Sequence, residues 1–122
     1  MFFSINPSNG TPVYEQVARQ IMFAVASGGI SSGEMIPSVR EMARQLAINP
    51  NTVARAYRQL QDQQILETVR GEGIAVSKGA RTKCKSARSK LIREQISQVI
   101  ETAKQSQLSE DEIRKMVEAE LK

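Results

Sequence analysis

A break at Asn49-Pro50 separates two short amphipathic helix patterns, and this feature limits the possible folds more than any other in the sequence. Before the break, Ser38 and Glu41 have the spacing of a capping box at the start of a short helix. The residue before a proline is driven out of the α region, so the chain must turn sharply at Asn49. A second helix is predicted to start at this proline and to reach about Gln64. The pattern is that of two helices joined by a tight turn.

The segments on either side of these two helices predict a winged helix-turn-helix. Upstream, apolar residues from Tyr14 to Val25 recur at the spacing of an amphipathic helix that follows Pro12. Downstream, two β-leaning runs, 65–69 and 74–77, flank a connector with two glycines, which predicts a β-hairpin. The predicted fold class is mainly α with a small β wing, in which a winged helix-turn-helix domain precedes a C-terminal α-helical hairpin.

Two further amphipathic helices are predicted beyond the wing. The first follows an apolar pattern that begins near Ile92, and Ser109 and Glu112 form a capping box before the second. Two short helices cannot bury their apolar faces unaided, so we expect them to pair with a second copy across a two-fold axis. The candidate dimerisation residues are Ile92, Ile96, Val99, Ile100, Ala103, Ile113, Met116 and Val117.

Charge is distributed unevenly along the 122 residues, and this distribution suggests where one domain ends. Residues 1–77 hold six arginines and six acidic residues, a net charge of zero. Residues 78–93, the basic neck, hold seven Lys or Arg residues and no acidic residue. Residues 94–122 carry a net charge of −3, so the whole chain has +4. We expect a winged helix-turn-helix domain at 1–77, a linker or hinge near 77–83, and a basic neck with a helical dimerisation region at 78–122.

Composition argues against an enzyme. The chain has no histidine, which removes Ser-His and Cys-His nucleophile pairs and the commonest zinc ligand. The single cysteine, Cys84, rules out a disulfide framework and a cysteine-based metal cluster. No catalytic residue, cofactor or metal site is therefore expected. Cys84 is either a thiol that senses oxidants because the basic neck lowers its pKa or, more commonly, an unreactive thiol.

No stretch approaches the ~20 apolar residues that a membrane span requires. The N-terminus also lacks the pattern of a signal peptide. A cytoplasmic protein without a membrane partner is the expectation.

The helix after the break presents polar and basic residues on its outward face. On a helical wheel, Val53 and Leu60 mark the inner face, while Asn51, Arg55 and Arg58 lie on the opposite side. Arginine forms bidentate pairs with guanine and asparagine with adenine, and a recognition helix reads base edges with its N-terminal residues. These residues are therefore suited to DNA. A solvated helix face is the alternative, and this helix alone does not decide between the two.

Two other positions favour DNA. Arg40 lies at the start of the preceding helix, where a helix-turn-helix crosses the phosphate backbone. The hairpin tip places Arg70 next to Gly71, which suits the minor groove or its phosphates, although Glu72 favours an ordinary turn. The candidate DNA-binding residues are Ser38, Arg40, Asn51, Thr52, Arg55, Arg58, Arg70 and Gly71.

These motifs resemble the GntR family of bacterial transcription regulators. The resemblance rests on the run Gly33-Glu34-Met35-Ile36-Pro37-Ser38-Val39-Arg40-Glu41-Met42-Ala43, on Asn49-Pro50-Asn51-Thr52-Val53 and on the wing Gly71-Glu72-Gly73. The segment Pro12-Val13-Tyr14-Glu15-Gln16-Val17 and the short C-terminal region resemble its YtrA subfamily. The resemblance implies DNA contacts at Arg40, Asn51, Thr52, Arg55, Arg70 and Gly71, and a dimerising role for the C-terminal helices.

The chain departs from the family pattern before the first wing strand. Relatives usually have a glycine there, and this chain has Gln64. If the backbone is left-handed at this position, a residue other than glycine costs roughly 1 to 2 kcal/mol. We expect this strain to lie at the end of the recognition helix.

The sequence therefore predicts a homodimeric, sequence-specific regulator that represses transcription from a palindromic operator in double-stranded DNA. The alternative is a winged-helix protein-interaction module that binds no DNA. A protein-binding version is expected to have apolar anchors in place of the outward arginines. A small-molecule effector is compatible with the chain but not indicated by it.

Overall fold

The computed structural model describes residues 4–122 and contains, in that range, five helices and a three-stranded sheet. In chain order the elements are α1 (Val13–Ser27), β1 (Met35–Ile36), α2 (Val39–Leu46), α3 (Pro50–Asp62), β2 (Leu66–Val69), β3 (Gly73–Val76), α4 (Ala80–Gln105) and α5 (Glu110–Glu120). This confirms the predicted class, mainly α with a small β wing followed by C-terminal helices. Two compact units are present, one ending at Arg88 and the other spanning Ser89–Lys122.

The helix starts follow local sequence signals. Pro12 precedes α1 as expected, and α1 ends at Gly28, whose φ of +87° is the left-handed conformation that terminates helices. At α2, the Glu41 amide donates a 3.1 Å hydrogen bond to the Ser38 hydroxyl oxygen. The Glu41 carboxylate is directed forward, where it pairs with Arg44 and accepts a hydrogen bond from Gln45. Only one half of the predicted capping box is therefore formed, the bond to the Ser38 oxygen.

The turn between α2 and α3 forms where the proline predicted it. Ala47 adopts φ +55°, and the Asn49 side chain accepts a 2.8 Å hydrogen bond from the Asn51 amide, which caps α3. Helix α3 ends at Asp62, slightly before the predicted end near Gln64. The reason is the backbone of Gln64, whose φ of +62° is left-handed, as the departure from the family pattern suggested.

The sheet has the order β1-β3-β2 and is antiparallel throughout. Strands β2 and β3 form the predicted hairpin, with Leu66 opposite Val76 and Val69 opposite Gly73. Strand β1, which pairs Met35 with Ala75, is not among the elements predicted from the sequence. A strand of two residues is too short to show an alternating pattern, so its pairing with β3 had no sequence signal.

The core of the first unit joins the apolar stripes of its helices with the sheet. Its largest fully buried side chains are Tyr57, Ile21, Met42, Leu60, Leu66, Val17, Val25, Val53, Val76 and Cys84. Ala80 and Cys84 are both 0% exposed, so the first turns of α4 pack into this core. The expectation of a linker or hinge near 77–83 was therefore wrong from Ala80 onward, since the basic neck is helical there.

The second unit consists of the end of α4, a turn at 106–109, and α5. The Leu108 amide donates to the Ala103 carbonyl at 3.2 Å, and Gln107 has a left-handed φ of +70°. The predicted cap of α5 is present, because the Glu112 amide donates to the Ser109 hydroxyl oxygen at 3.2 Å. Within residues 4–122, no helix is long and apolar enough to cross a bilayer.

Candidate nucleic-acid interface

Helix α3 separates buried from exposed residues in the way the helical wheel predicted. Val53, Ala56, Tyr57 and Leu60 are buried. Asn51, Arg55 and Arg58 are exposed, and Thr52 is half-buried. Because Asn51 follows Pro50 at the helix start, the first two to three turns of α3 present an amide, a hydroxyl and two guanidinium groups to solvent. This is a set of donors and acceptors suited to the edges of base pairs.

One arginine of this face has a partner that sequence reasoning missed. The guanidinium carbon of Arg55 lies over the ring of Tyr14, 3.8 Å from its centroid, within the range of a cation–π interaction. Tyr14 belongs to α1 and is half-buried. Its place in the apolar pattern of α1 suggested a core residue, and no local pattern links two residues in different helices.

The start of α2 presents a hydroxyl and a guanidinium. The Ser38 oxygen accepts the Glu41 amide, and the hydroxyl proton remains able to donate to another acceptor. Arg40 is exposed in the first turn of α2. The N-terminus of a helix attracts anions because its first amides are unpaired and the helix dipole is positive there. This helix end can therefore hold a phosphate group between Ser38 and Arg40.

The wing tip is exposed and built around a left-handed glycine. Arg70, Gly71 and Glu72 are exposed, and the Glu72 amide donates to the Val69 carbonyl at 2.9 Å. Gly71 has φ +79°, which glycine adopts without strain, and a Cβ atom placed there would meet no heavy atom within 4 Å. The tip therefore leaves the Gly71 backbone accessible next to the Arg70 side chain.

Four exposed arginines of these three elements have no acidic partner in the described part of the chain. The ion pairs within residues 4–122 join Arg19 to Glu15, Arg44 to Glu41, and Arg114 to Asp111. None of them includes the exposed arginines at positions 40, 55, 58 and 70. Their charge is therefore uncompensated by the chain itself and available to a polyanion.

The C-terminal unit exposes much of its apolar stripe. Ile92, Ile96, Val99, Met116 and Val117 are between 41% and 68% exposed. Ile100, Ala103 and Ile113 are half-buried. A cavity of about 240 Å³ between α4 and α5 is lined by Ile100, Lys104, Glu110, Ile113, Arg114 and Val117. All eight predicted dimerisation residues thus keep apolar area that the two helices leave uncovered.

Cys84 does not have the surroundings of a redox sensor. The thiol is fully buried in the core of the first unit, and burial raises its pKa. A reactive cysteine needs access to solvent and a lowered pKa, so the structure favours the unreactive interpretation. Among residues 4–122 there is no group of three or more His, Cys, Asp or Glu side chains that could hold a metal ion.

Comparison with known proteins agrees with this geometry. The family "Bacterial regulatory proteins, gntR family" matches residues 13–76. The HTH-type transcriptional repressor YtrA of Bacillus subtilis is 40% identical over 96 residues, which cover 79% of this chain and 74% of YtrA. The crystal structure of a transcriptional regulator from Oenococcus oeni has a TM-score of 0.74 and 33% identity over 99% of this chain and 100% of its own.

A protein–DNA complex is also among the similar structures. The DNA-binding domain of AraR in complex with operator ORX1 has a TM-score of 0.53 and 27% identity, over 63% of this chain and 93% of that domain. Its match is consistent with a winged helix-turn-helix in the first unit. With the family match over more than half of its length, the chain belongs to the GntR family of bacterial transcription regulators, with a short C-terminal region of the YtrA type.

Proposed function

We propose that this GntR-family regulator is a homodimeric repressor that reads a palindromic operator with α3, the start of α2 and the wing. The observation that supports this most is the set of exposed arginines without acidic partners on those three elements. Arginines 55 and 58 of α3 face base edges in the major groove. Arg40 and Ser38 hold the phosphate backbone, and Arg70 and Gly71 reach the adjacent groove.

The AraR complex supports a DNA role for the first unit, because AraR binds its operator with a domain of similar structure. The net charge of residues 1–77 is zero, so bulk attraction does not explain DNA binding by this domain. The placement of the arginines on α3, the start of α2 and the wing explains how a neutral domain binds DNA. The basic neck adds seven positive charges, which are able to lie along phosphates beside each half-site. A regulator of this kind acts in the bacterial cytoplasm.

Dimerisation is supported by the uncovered apolar surface of the C-terminal unit. Val99 is 68% exposed although it lies in a helix pattern whose apolar residues recur at the spacing of a buried stripe. A second copy covers such a stripe through the same residues on both chains, as two-fold symmetry requires. Dimeric helix-turn-helix proteins bind two half-sites about one DNA turn apart, at roughly 34 Å, so a two-fold dimer is suited to a palindromic site.

DNA reading is tested by electrophoretic retention of the DNA upstream of the protein's own gene, in parallel with random-sequence DNA. The wild-type protein is expected to retain the upstream DNA at salt concentrations that release random DNA. Arg55→Ala is expected to lose this preference, whereas Arg19→Ala, which removes an arginine paired with Glu15 on α1, is expected to keep it. Failure to retain any DNA at low salt contradicts the proposal and favours a protein-interaction module.

Dimerisation is tested by sedimentation at micromolar concentration. The wild-type protein is expected to sediment as a dimer and Val99→Glu as a monomer, because the added carboxylate would be buried in the paired stripe. Gln95→Glu adds the same charge at an exposed polar position of α4 and is expected to remain dimeric. A monomeric wild-type protein contradicts this part of the proposal.

A further inference from the structure

The contact between Arg55 and Tyr14 joins the outward face of α3 to the start of α1. The guanidinium carbon lies 3.8 Å from the ring centroid, while the arginine side chain stays exposed to solvent. An exposed arginine is usually free to adopt many rotamers. When it forms a fixed contact it keeps only one of them, and the loss of the others costs conformational entropy. Here the ring already restricts the position of the guanidinium before any partner arrives.

Contact with an aromatic ring does not by itself use up the hydrogen-bond donors of an arginine. A cation–π interaction uses the flat face of the ring and the positive charge above it. The five N–H donors of a guanidinium point outward in its own plane. No hydrogen bond or ion pair within residues 4–122 uses the Arg55 side chain. A bidentate pair with the O6 and N7 atoms of guanine needs two N–H groups that have no other partner. It forms at a lower entropy cost when the position of the guanidinium is already restricted.

Tyr14 is itself held in place. It lies in the first turn of α1, and α1 packs against α3. Two residues further on, the nearly fully buried Gln16 fixes the chain that leads into the helix. Its side-chain amide accepts from the Asn6 amide at 2.8 Å and donates to the carbonyl oxygens of Asn6, at 2.7 Å, and Thr11, at 2.9 Å. The backbone that carries the Tyr14 ring is therefore fixed by helix packing and by the hydrogen bonds of Gln16.

We propose that Tyr14 is a positioning residue that orients Arg55 for a bidentate contact with a guanine in the major groove. This inference rests on the DNA-reading function proposed above and adds a specificity-determining residue outside the helix-turn-helix. Its contribution passes through the arginine, so it concerns the preference for one base pair and not the general attraction to phosphates.

The experiment uses a duplex that the full-length wild-type protein selects from a random-sequence pool. Dissociation constants are measured for this duplex, for its single base-pair variants and for random DNA. Tyr14→Leu is expected to weaken binding of the selected duplex by about two- to five-fold, the magnitude of an exposed cation–π contact, with little change for random DNA. It is also expected to weaken discrimination at one G·C pair. Tyr14→Phe retains the ring and is expected to bind as the wild type does.

Two further comparisons separate positioning from other roles. In an Arg55→Ala background, Tyr14→Leu is expected to have no further effect, because the two residues act as one unit. Phe23→Leu removes another half-buried aromatic ring of α1 and is expected to leave DNA selectivity unchanged. If thermal unfolding shows that Tyr14→Leu does not fold, Tyr14→Met replaces it as the variant without an aromatic ring.

Several results overturn the inference. Wild-type selectivity in Tyr14→Leu means that the ring is not needed, and tighter binding means that it restrains Arg55 away from DNA. An equal loss in the Arg55→Ala background, or a loss in Tyr14→Phe, means that tyrosine contacts DNA directly. A wild-type protein that enriches no sequence from the pool overturns the proposed function together with this inference, and that result is distinct from the others.

Discussion

The phenolic hydroxyl of Tyr57 donates a 2.7 Å hydrogen bond to the carbonyl oxygen of Pro37, 20 residues earlier in the chain. Pro37 directly precedes Ser38, the capping residue of α2, whereas Tyr57 lies in the middle of α3. The ring is buried, and burial raises the pKa of the Tyr57 phenol, so the hydroxyl stays protonated and able to donate. This bond fixes the start of α2 relative to α3, and with it the separation of Arg40 from the arginines of α3.

Replacing Tyr57 by phenylalanine tests the strength of this link. Tyr57→Phe leaves the Pro37 carbonyl without its partner, so the free energy of unfolding is expected to fall by about 1 to 2 kcal/mol. Tyr14→Phe is the matched control, because the Tyr14 hydroxyl reaches only the Glu15 carboxylate at 3.4 Å in a half-buried position. We expect it to change stability by less than about 0.5 kcal/mol. Urea unfolding measures both, and equal effects would contradict the assigned role.

Replacing Gln64 by glycine is expected to relieve backbone strain, because Gln64 has a left-handed φ of +62°. Glycine adopts this conformation freely, so Gln64→Gly is expected to raise the free energy of unfolding by about 0.5 to 1 kcal/mol, after the entropy lost by glycine on folding is subtracted. The neighbouring Gln63 has an ordinary φ of −82°. Gln63→Gly should therefore lower stability by about 0.5 to 1 kcal/mol. Urea unfolding that gives both variants the same sign would show that the backbone angle is not the cause.

The burial of Cys84 predicts slow reaction with alkylating reagents. Because burial raises the pKa of the thiol, its contribution to stability is fully present below the pKa of the unfolded thiol and is lost as the pH rises through the raised value. Iodoacetamide is expected to modify the native protein at pH 8 much more slowly than the protein in urea. Mass spectrometry at timed intervals measures the two rates. Similar rates in both conditions would mean that the thiol is accessible in the folded state.

Helix α2 carries one arginine without an acidic partner and one that forms an ion pair, and we expect the two to contribute differently to the salt dependence of DNA binding. Arg40 is exposed without an acidic partner in the described residues, whereas Arg44 pairs with Glu41. Arg40→Ala is expected to weaken binding to all sequences and to reduce the slope of log K against log salt by about one. For Arg44→Ala we expect an unchanged slope. Fluorescence anisotropy on a labelled duplex measures both, and identical slopes for the two variants would remove Arg40 from the phosphate contacts.

Local signals in the sequence were sufficient for the helix-turn-helix. Asn49 and Pro50 determine where α3 begins, Ser38 determines where α2 begins, and the glycines at 71 and 73 determine the hairpin. Each acts through the backbone of its immediate neighbours, so the sequence contains the relevant information. The left-handed conformation of Gln64 was likewise anticipated, because a glycine is expected at that position in the family.

Features that depend on distant parts of the chain were not predictable in this way. Strand β1 exists because Met35 and Ile36 meet β3, and the basic neck is helical where Ala80 and Cys84 enter the core. Only two apolar residues in a strongly basic segment reach that core, so no stripe marked the start of α4. The contact of Tyr14 with Arg55 requires two helices to pack first. Such long-range relationships follow from the assembled fold and not from sequence spacing.

The alternation along α3 has a consequence for how such a protein changes over evolutionary time. Side chains that hold the helix in the core, such as Val53 and Leu60, are different from those that meet solvent, such as Asn51 and Arg58. Exchanges at the outer positions are expected to change stability by less than about 0.5 kcal/mol. Descendants of one ancestral scaffold are thus able to acquire new target sites by a few surface exchanges, while the interior that all of them inherit remains the same.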